Sequence, residues 1–426
     1  MARTLTVKDG YALINAIAYE ALGANATVQA QDSSSFVSVG EMIIQAGFEQ
    51  TLDAIGLVLG RTFIATRPYK AKFALINSIN SGAYANRIRK ISYYIKDALP
   101  TGADNTDLYT NFAAGYDNGT NSAASVSSMW EQNPPVPLEL NFGGSTEWQY
   151  CITVYEHQLK VAFTDETKFI EFMNGIMTEV ANDIETEKEA FARMTLLNAI
   201  GMVYDGDALY STGSAINMTT AFNNWFGTSY TTTDLLSQYL TEFLEFFAAT
   251  VKTVSDFMEN RDIKYHAFPV IAGHALVRHT PKSRQKMLML SDFWRKAEAI
   301  VKPQIFNPEY LDINNFEKIL FWQNVNDPYG VSITPAIPDF DSTSPTYGTQ
   351  IAGDPVALNT VLGFMFDEDA ILVDFQLDDV YSTPVEARKR YRNLWHTIRK
   401  NAIMDLTEKM VLFYMADEGD GGDLNE

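Results

Sequence analysis

The stretch Thr164 to Ile200 reads TDETKFIEFMNGIMTEVANDIETEKEAFARMTLLNAI. Apolar residues fall at Phe169, Ile170, Met173, Ile176, Met177, Val180, Ala181 and Ile184, and resume at Phe191, Met194, Leu197 and Ile200. Steps of three and four are the period of one helical face. Thr164 can cap the start, and Asp165 and Glu166 put negative charge in the first turn, where the helix dipole favours it. Gly201 follows the last apolar residue and is expected to end the helix. At about 1.5 Å per residue the rod is roughly 55 Å long, well beyond the usual three or four turns. Its apolar face lapses between Ile184 and Phe191, across Glu185, Glu187, Lys188 and Glu189, where a sustained coiled coil would not. The pattern predicts a single spine, buried at both ends and more exposed in the middle.

What surrounds the spine decides what it supports. The chain has 426 residues, a length that fits two or three domains. Apolar residues make up 46% and charged residues 20%, the balance of a globular protein with a large core. The single cysteine, Cys151, excludes an intramolecular disulfide framework and argues against a structural zinc site. No signal-peptide core and no run of 18 apolar residues is present, so no membrane partner is expected and assembly in a reducing cytoplasm is. The formal net charge of −21 opposes generic nucleic-acid binding, which needs a basic footprint. It also holds like subunits apart until geometry brings them together.

Taken in order, residues 1 to 35 read either as an arm or as a first helix (Leu13, Ile14, Ile17, Ala18, Ala21, Leu22) packed on its own core, followed by a QAQDSSS loop. Ile43, Ile44, Phe48, Leu52 and Ile55 give a helix, and Leu57 to Ile64 a strand. Arg87 to Ile95 and Glu147 to Tyr155 read as two strands bracketing a long polar tip, an extended hairpin. A connection that long inside a compact domain signals function or a partner. After the spine, Tyr204 to Thr233 reads as loop. Asp234 caps a second helix with an apolar face from Leu235 to Val254. Short strands are expected at His266–Ala272 and Ile319–Val325, a helix at Arg284–Ile300, and irregular chain over residues 326 to 360. Val361–Phe366 and Ala370–Phe375 read as strands around the turn Asp367-Glu368-Asp369. The tail ADEGDGGDLNE is acidic and Gly-rich, a disordered composition.

Chemistry is sparse. His274 and His279 are five apart, which does not place them on one helical face, and no third ligand lies near them in sequence. No Walker or dinucleotide loop and no GxSxG elbow occurs, and Cys151 has no basic neighbour in sequence. Catalytic, cofactor and metal residues are therefore all assigned as none. Two charge features remain. Arg87, Arg89, Lys90 and Lys96 lie on the first hairpin strand with no acid between Tyr84 and Lys96. The spine carries Glu179, Asp183, Glu185, Glu187 and Glu189. Either both are solvated faces, or the basic hairpin lies across the acidic spine of a neighbouring subunit, where charge complementarity fixes register. The basic run Arg388, Lys389, Arg390, Arg392, Arg399 and Lys400, with Tyr391, Trp395 and His396, is a weak nucleic-acid signature. The favoured alternative is a strand or helix paired with acidic neighbours.

The order of elements, with GEMIIQAGFEQTLDAIGLVLGRTF (40–63), YEHQLKVAFTDETKFIEFMNGIMTEVANDIETEKEAF (155–191) and GFMFDEDAILVDFQLDDVYSTPVEARKRYRNLWHTI (363–398), resembles the major capsid protein of tailed bacteriophages, the Hong Kong 97-like fold. The texture is most similar to that of small short-tailed phages. The resemblance implies an α+β fold. An N-terminal arm (1–40) leads into the start of a peripheral domain (41–83), followed by an extended hairpin loop (84–155). The peripheral domain with its spine (156–204) comes next, then an axial domain (205–375), a return segment (376–415) and an acidic tail (416–426). It implies a non-enzymatic virion protein, assembled in the host cytoplasm, whose pentamers and hexamers close an icosahedral shell around packaged double-stranded DNA. With the arm at Met1, a separate scaffolding protein is implied, beside a portal and weak non-specific DNA contact. A polysaccharide- or receptor-binding virion protein, and a hydrolase with an unrecognised carboxylate pair, are the alternatives.

Overall fold

The computed structural model describes residues 7–22, 29–46, 76–79, 87–94, 134–144, 146–163, 166–271, 274–300, 315–339, 344–346 and 349–417. The expected strand at 57–64, the polar tip at 100–128, Lys96 and most of the acidic tail lie outside the described residues.

Helix α1 spans Val7–Leu22 and α2 spans Ser33–Ala46. The QAQDSSS stretch is not all loop, because Asp32 caps α2, accepting from the Ser35 backbone N–H at 2.7 Å. Ile14, Ile17 and Ala18 of α1 pack with Phe36, Val39 and Ile43 of α2 against Val154, Phe163, Phe169 and Leu394. The described part of the N-terminal segment is thus a helix on a core.

Strands β1 (Asn77–Ile79), β2 (Arg87–Tyr94), β3 (Val136–Gly143) and β4 (Thr146–Tyr155) follow. The hairpin partner of β2 is β3, with Arg87 opposite Gly143 and Tyr94 opposite Val136. The expected partner, 147–155, is β4 and belongs to another sheet. Gly144, at φ 99°, makes the break between β3 and β4, a conformation that suits glycine.

A short helix α3 (Glu156–Ala162) leads into the spine α4 (Glu166–Tyr210). The spine has 45 residues and runs through Gly201 instead of ending there. The reason is tertiary. A Cβ on Gly206 would meet the Ala267 carbonyl oxygen at 2.5 Å, and one on Gly201 would meet Ile333 Cγ2 at 3.0 Å. These glycines admit close neighbours and do not stop the helix.

Beyond the spine lie β5 (Ala215–Asn217), α5 (Met218–Phe226), α6 (Thr232–Ser237) and α7 (Leu240–Met258). The expected loop 204–233 therefore holds a helical end, a strand and a helix. Asn217 caps α5, and Gly227 ends it at φ 67°. The cap of α6 is Thr231, which forms a capping box with Asp234 at N3, so Asp234 is the partner and not the cap. Two-residue strands β6 (Val270–Ile271) and β7 (His274–Ala275) replace the expected strand at 266–272.

Next come β8 (Gln285–Leu290), α8 (Ser291–Ile300) and β9 (Asn315–Ile319). The predicted helix at 284–300 is thus half strand. Every residue of β8 is buried, so neither sheet alternation nor a polar helical face marks it. Four short strands follow, β10 (Val331–Ile333), β11 (Ala336–Pro338), β12 (Gln350–Ala352) and β13 (Val356–Leu358). The last four are long or fully buried: β14 (Thr360–Asp367), β15 (Ile371–Ser382), β16 (Tyr391–Met404) and β17 (Met410–Met415).

Two sheets carry the fold. One has the order β1-β15-β16-β4 and the other β5-β17-β14-β8-β9. The spine joins them. Its Val180 and Ile184 pack on Ile398, Tyr150, Ile152 and Phe375 of the first sheet. Leu196, Ile200 and Val203 enter the large core of the second, with Phe243 and Phe247 of α7, Phe293 of α8, and Leu288, Phe364 and Phe413 of the strands. The middle of the spine is largely exposed or half-buried, as its lapsed apolar face requires.

Candidate subunit-interface elements

The basic hairpin is the first candidate. On β2, successive side chains alternate between two faces. Arg89 is on the exposed side and donates to Glu139 Oε2 at 2.5 Å across the ribbon. Lys90 points the other way. Its ammonium donates to Asp405 and, at 2.7 Å, to Glu408 Oε1. Burial alone would lower the Lys90 pKa, but Asp405 and Glu408 outweigh it and raise it above the ordinary lysine value. Arg278 completes the cluster, donating to Glu408 Oε1 at 2.8 Å and to Ser92 Oγ at 2.6 Å. Beside it, Leu138, Leu140 and Tyr94 of the hairpin pack on Leu276, and the Tyr94 ring lies 4.5 Å from that of His274.

The hairpin is thus docked on its own chain by Lys90 between two buried carboxylates, by the Arg278–Ser92 hydrogen bond and by a small apolar contact. Lys90 is committed within the subunit. Arg87 lies on β2 opposite Gly143. Asp405, Glu408 and Arg278 did not stand out in the sequence. The only signal was two acids within DLTEK, between two apolar strands.

The acidic spine is the second candidate. Glu185 pairs with Lys188 at 3.5 Å and Glu189 with Arg193 at 3.3 Å, both within one helix. Arg193 also donates to the Phe321 carbonyl at 2.6 Å and stacks over the Phe321 ring. Asp183 is exposed. Glu187 faces inward, toward Tyr150 and Lys400. Burial, with Glu187 and Asp183 adding to it, pushes the Tyr150 phenol up to about 12. Lys400 is buried between the Trp148 ring, 3.1 Å away, and the Phe191 ring, 4.6 Å away. Burial lowers its pKa to about 8, with Glu187 pulling the other way.

The late basic run divides between the turn before β16, which holds Arg388, Lys389 and Arg390, and β16 itself, which holds Arg392, Arg399 and Lys400; two of its members have acidic partners. Arg399 pairs with Glu147 on β4, its Nε at 2.9 Å. Arg390 lies 3.8 Å from Glu156. Arg392 donates to the Thr383 carbonyl. Among the described residues no group of three or more His, Cys, Asp or Glu could hold a metal, and no helix is long and apolar enough to cross a membrane.

The family model described as Phi29-like phage major capsid protein matches residues 78–414 of the chain. A comparison with curated proteins finds no match. Among solved structures, the chain is similar to the capsid structure of Staphylococcus phage Andhra, at 12% identity and a TM-score of 0.46, over 82% of this chain and 88% of that one. It is similar to a chain in the structure of head fiber and inner core protein gp22 of native bacteriophage P68, at 12% identity and a TM-score of 0.46, over 80% and 83%. The capsid of Myoviridae phage XM1 overlaps at 8% identity and a TM-score of 0.41, over 81% and 92%. The family assignment rests on the family match and not on these overlaps.

Proposed function

The chain belongs to the Phi29-like phage major capsid protein family and is a structural, capsid-forming protein, and on that premise we propose that its copies form pentamers and hexamers closing an icosahedral shell around double-stranded DNA. The family match over residues 78–414 carries this reading. Assembly takes place in the host cytoplasm with a separate scaffolding protein and a portal. Contact with packaged DNA is weak and non-specific. A net charge of −21 supports that, because a wall that gripped phosphate would hinder packaging and release.

The hairpin and the spine remain the proposed intersubunit contact, in narrower form. Arg87, Arg89 and Lys96 face Glu179, Asp183 and Glu185 of a neighbour, while Lys90 and Glu187 serve their own subunit. Reversing Arg87 and Arg89 to Glu is expected to block assembly and leave the subunit folded. Normal shells from that variant would remove the hairpin–spine contact.

Electron microscopy of the purified protein, alone and co-expressed with its scaffold, tests the whole reading. Closed shells or rings of five and six are expected. A monodisperse monomer under every condition would overturn it.

A further inference from the structure

The turn that carries the chain from β15 into β16 is built by one carboxylate. Glu386 accepts the backbone N–H groups of Arg388 at 3.2 Å and Lys389 at 2.5 Å, and its carbonyl accepts that of Arg390 at 2.8 Å. Its own N–H donates to the Tyr391 carbonyl at 2.9 Å, and Arg390 sits at φ 51°. Val385 holds the base of the turn on the core shared by α1, α2 and Val154 of β4. Both carboxylate oxygens of Glu386 are thus occupied by backbone, and the three basic side chains at the tip stay outside. Arg388 and Lys389 are exposed, and neither side chain has an acidic partner among the described residues. Arg390 is 70% exposed and reaches Glu156 only at 3.8 Å. Helix α3 begins beside the turn, since the Glu156 N–H donates to the Arg390 carbonyl at 3.0 Å, and it adds Lys160, 2.5 Å from the Glu156 carboxylate.

We propose that this turn is where the chain touches nucleic acid, with Arg388, Lys389 and Arg390 binding the phosphate backbone of duplex DNA and Lys160 beside them. This rests on the capsid reading, which supplies the duplex, and it gives the weak, non-specific contact a place. Four cations stand against two carboxylates, one of them occupied by backbone, in a chain whose net charge is −21. Charges more than about 8 Å apart are largely screened at physiological salt, so the turn meets a phosphate as a local basic site although the whole chain is acidic.

The rest of the basic run does not join it. Arg392 is buried and donates to the Thr383 carbonyl, Arg399 pairs with Glu147, and Lys400 lies against the Trp148 ring. Stacking on unpaired bases needs a ring face presented to the strand. Tyr155 and Tyr391, beside the turn, instead pack on each other with ring centres 5.8 Å apart. Cations on a rigid turn contact phosphate and read no sequence. The other polyanion at hand is the chain's own acidic tail, ADEGDGGDLNE, but it leaves from beside the other sheet, where Asp417 accepts from the Thr232 N–H at 2.5 Å.

The test is fluorescence anisotropy of a labelled random-sequence duplex, titrated with the full-length, unassembled chain at several salt concentrations. The wild type is expected to bind weakly, with log affinity falling against log salt at a slope of about −3, each phosphate contact contributing about −0.9. Arg388→Gln combined with Lys389→Gln leaves the backbone hydrogen bonds to Glu386 in place, so melting should match the wild type. That pair is expected to lower affinity about tenfold at low salt and to make the slope shallower by about 2. Arg295→Gln with Lys296→Gln removes the same charge from the exposed face of α8 and is expected to leave affinity and slope unchanged. Arg388→Lys keeps the charge and is expected to bind as the wild type does. No binding by the wild type, or a turn pair with wild-type affinity and slope, overturns the proposal. So does an α8 pair as defective as the turn pair, which would make binding a matter of total charge. A synthetic peptide of residues 416–426 that competes better than unlabelled duplex at matched charge would make the acidic tail the occupant and overturn the assignment to DNA. Electron microscopy of the same wild-type protein, concentrated, reads the premise separately. A chain that binds the duplex and forms no shells strikes the capsid reading and leaves the turn standing.

Discussion

Lys90 on strand β2 donates to Glu408 Oε1 at 2.7 Å, across 318 positions of sequence, and this pair fastens the hairpin to the loop before β17. Glu408 and its neighbour Asp405 are buried, and Lys90 is about a quarter exposed. Among the described residues, removing the cation leaves Arg278 beside Glu408 and no ion-pair partner for Asp405. Breaking a buried pair from one side costs roughly 3–5 kcal/mol, and partial exposure of Lys90 places this one at about 2–3 kcal/mol. Lys90→Met is expected to lower the melting temperature and to raise amide exchange across β2 and β3. The double variant Lys90→Met with Glu408→Gln should recover part of the loss. Unchanged exchange in the hairpin would mean that it is held elsewhere.

Lys400 gives a prediction at alkaline pH. It is buried between Trp148 and Phe191, and its pKa is lowered from 10.5 to about 8. Between those values the unfolded chain binds more proton than the folded one, so stability rises with pH. One pKa unit is about 1.4 kcal/mol, so the rise is up to about 3 kcal/mol between pH 8 and 10.5. Lys400→Met should be more stable than the wild type near pH 7, and its curve should be flatter between pH 8 and 10. Urea unfolding at four pH values measures both slopes. Equal slopes would show that Lys400 is not a buried ammonium.

Some of this was legible in the sequence, and some was not. The spine was, because Val180, Ile184, Phe191 and Leu197 keep the helical period on their own. The edge of the fold around residues 204–217 was not, because Gly201 looks like a helix end until Ile333 is placed beside it, and residues from Tyr204 on read as loop until Ala267 is placed against Gly206. Strand β3 carries Pro137, and prolines at 134 and 135 precede it, so it did not read as a strand. It is one strand of a two-stranded ribbon, where proline is tolerated at an edge. Strand β8 is buried on both faces and loses the alternation that identifies sheets. The charge pattern of β2 was visible, but its partners were not. Asp405 and Glu408 are more than 300 residues away, and pairing at that distance is decided by the fold.

Gly206 converts the course of the spine into a stability test. The Ala267 carbonyl oxygen would lie 2.5 Å from a Cβ there, and its carbonyl carbon 3.0 Å. Backbone cannot swing aside as a flexible side chain can. Overpacking of this kind costs about 1–3 kcal/mol. Alanine in place of glycine would return up to about 1 kcal/mol of helix propensity. Gly206→Ala is therefore expected to lower the melting temperature, and Gly201→Ala, which meets only the side chains of Ile333 and Pro335, to have a smaller effect. A stabilised Gly206→Ala protein would show that α4 does not run against residue 267.

His266 gives a prediction at acid pH. Its ring is fully buried, with Nε2 2.9 Å from the Asp262 carbonyl oxygen. Burial pushes the imidazole pKa down from 6.5 to about 4; the Asp262 carbonyl opposes that shift, and the charges of Lys409 and Arg278 reinforce it. Between those two values the unfolded chain takes up a proton that the folded chain refuses, so stability falls as pH drops from 6.5 toward 4. The loss from this group is up to about 3 kcal/mol, at about 1.4 kcal/mol per unit. His266→Gln keeps a side-chain donor for the Asp262 carbonyl and has nothing to titrate. Denaturant unfolding of both proteins at pH 7, 5.5 and 4.5 isolates the histidine from the carboxylates they share. The wild type is expected to lose more stability than the variant at each step down. Parallel curves would place the imidazole in water, and would remove the buried histidine from the account of this fold.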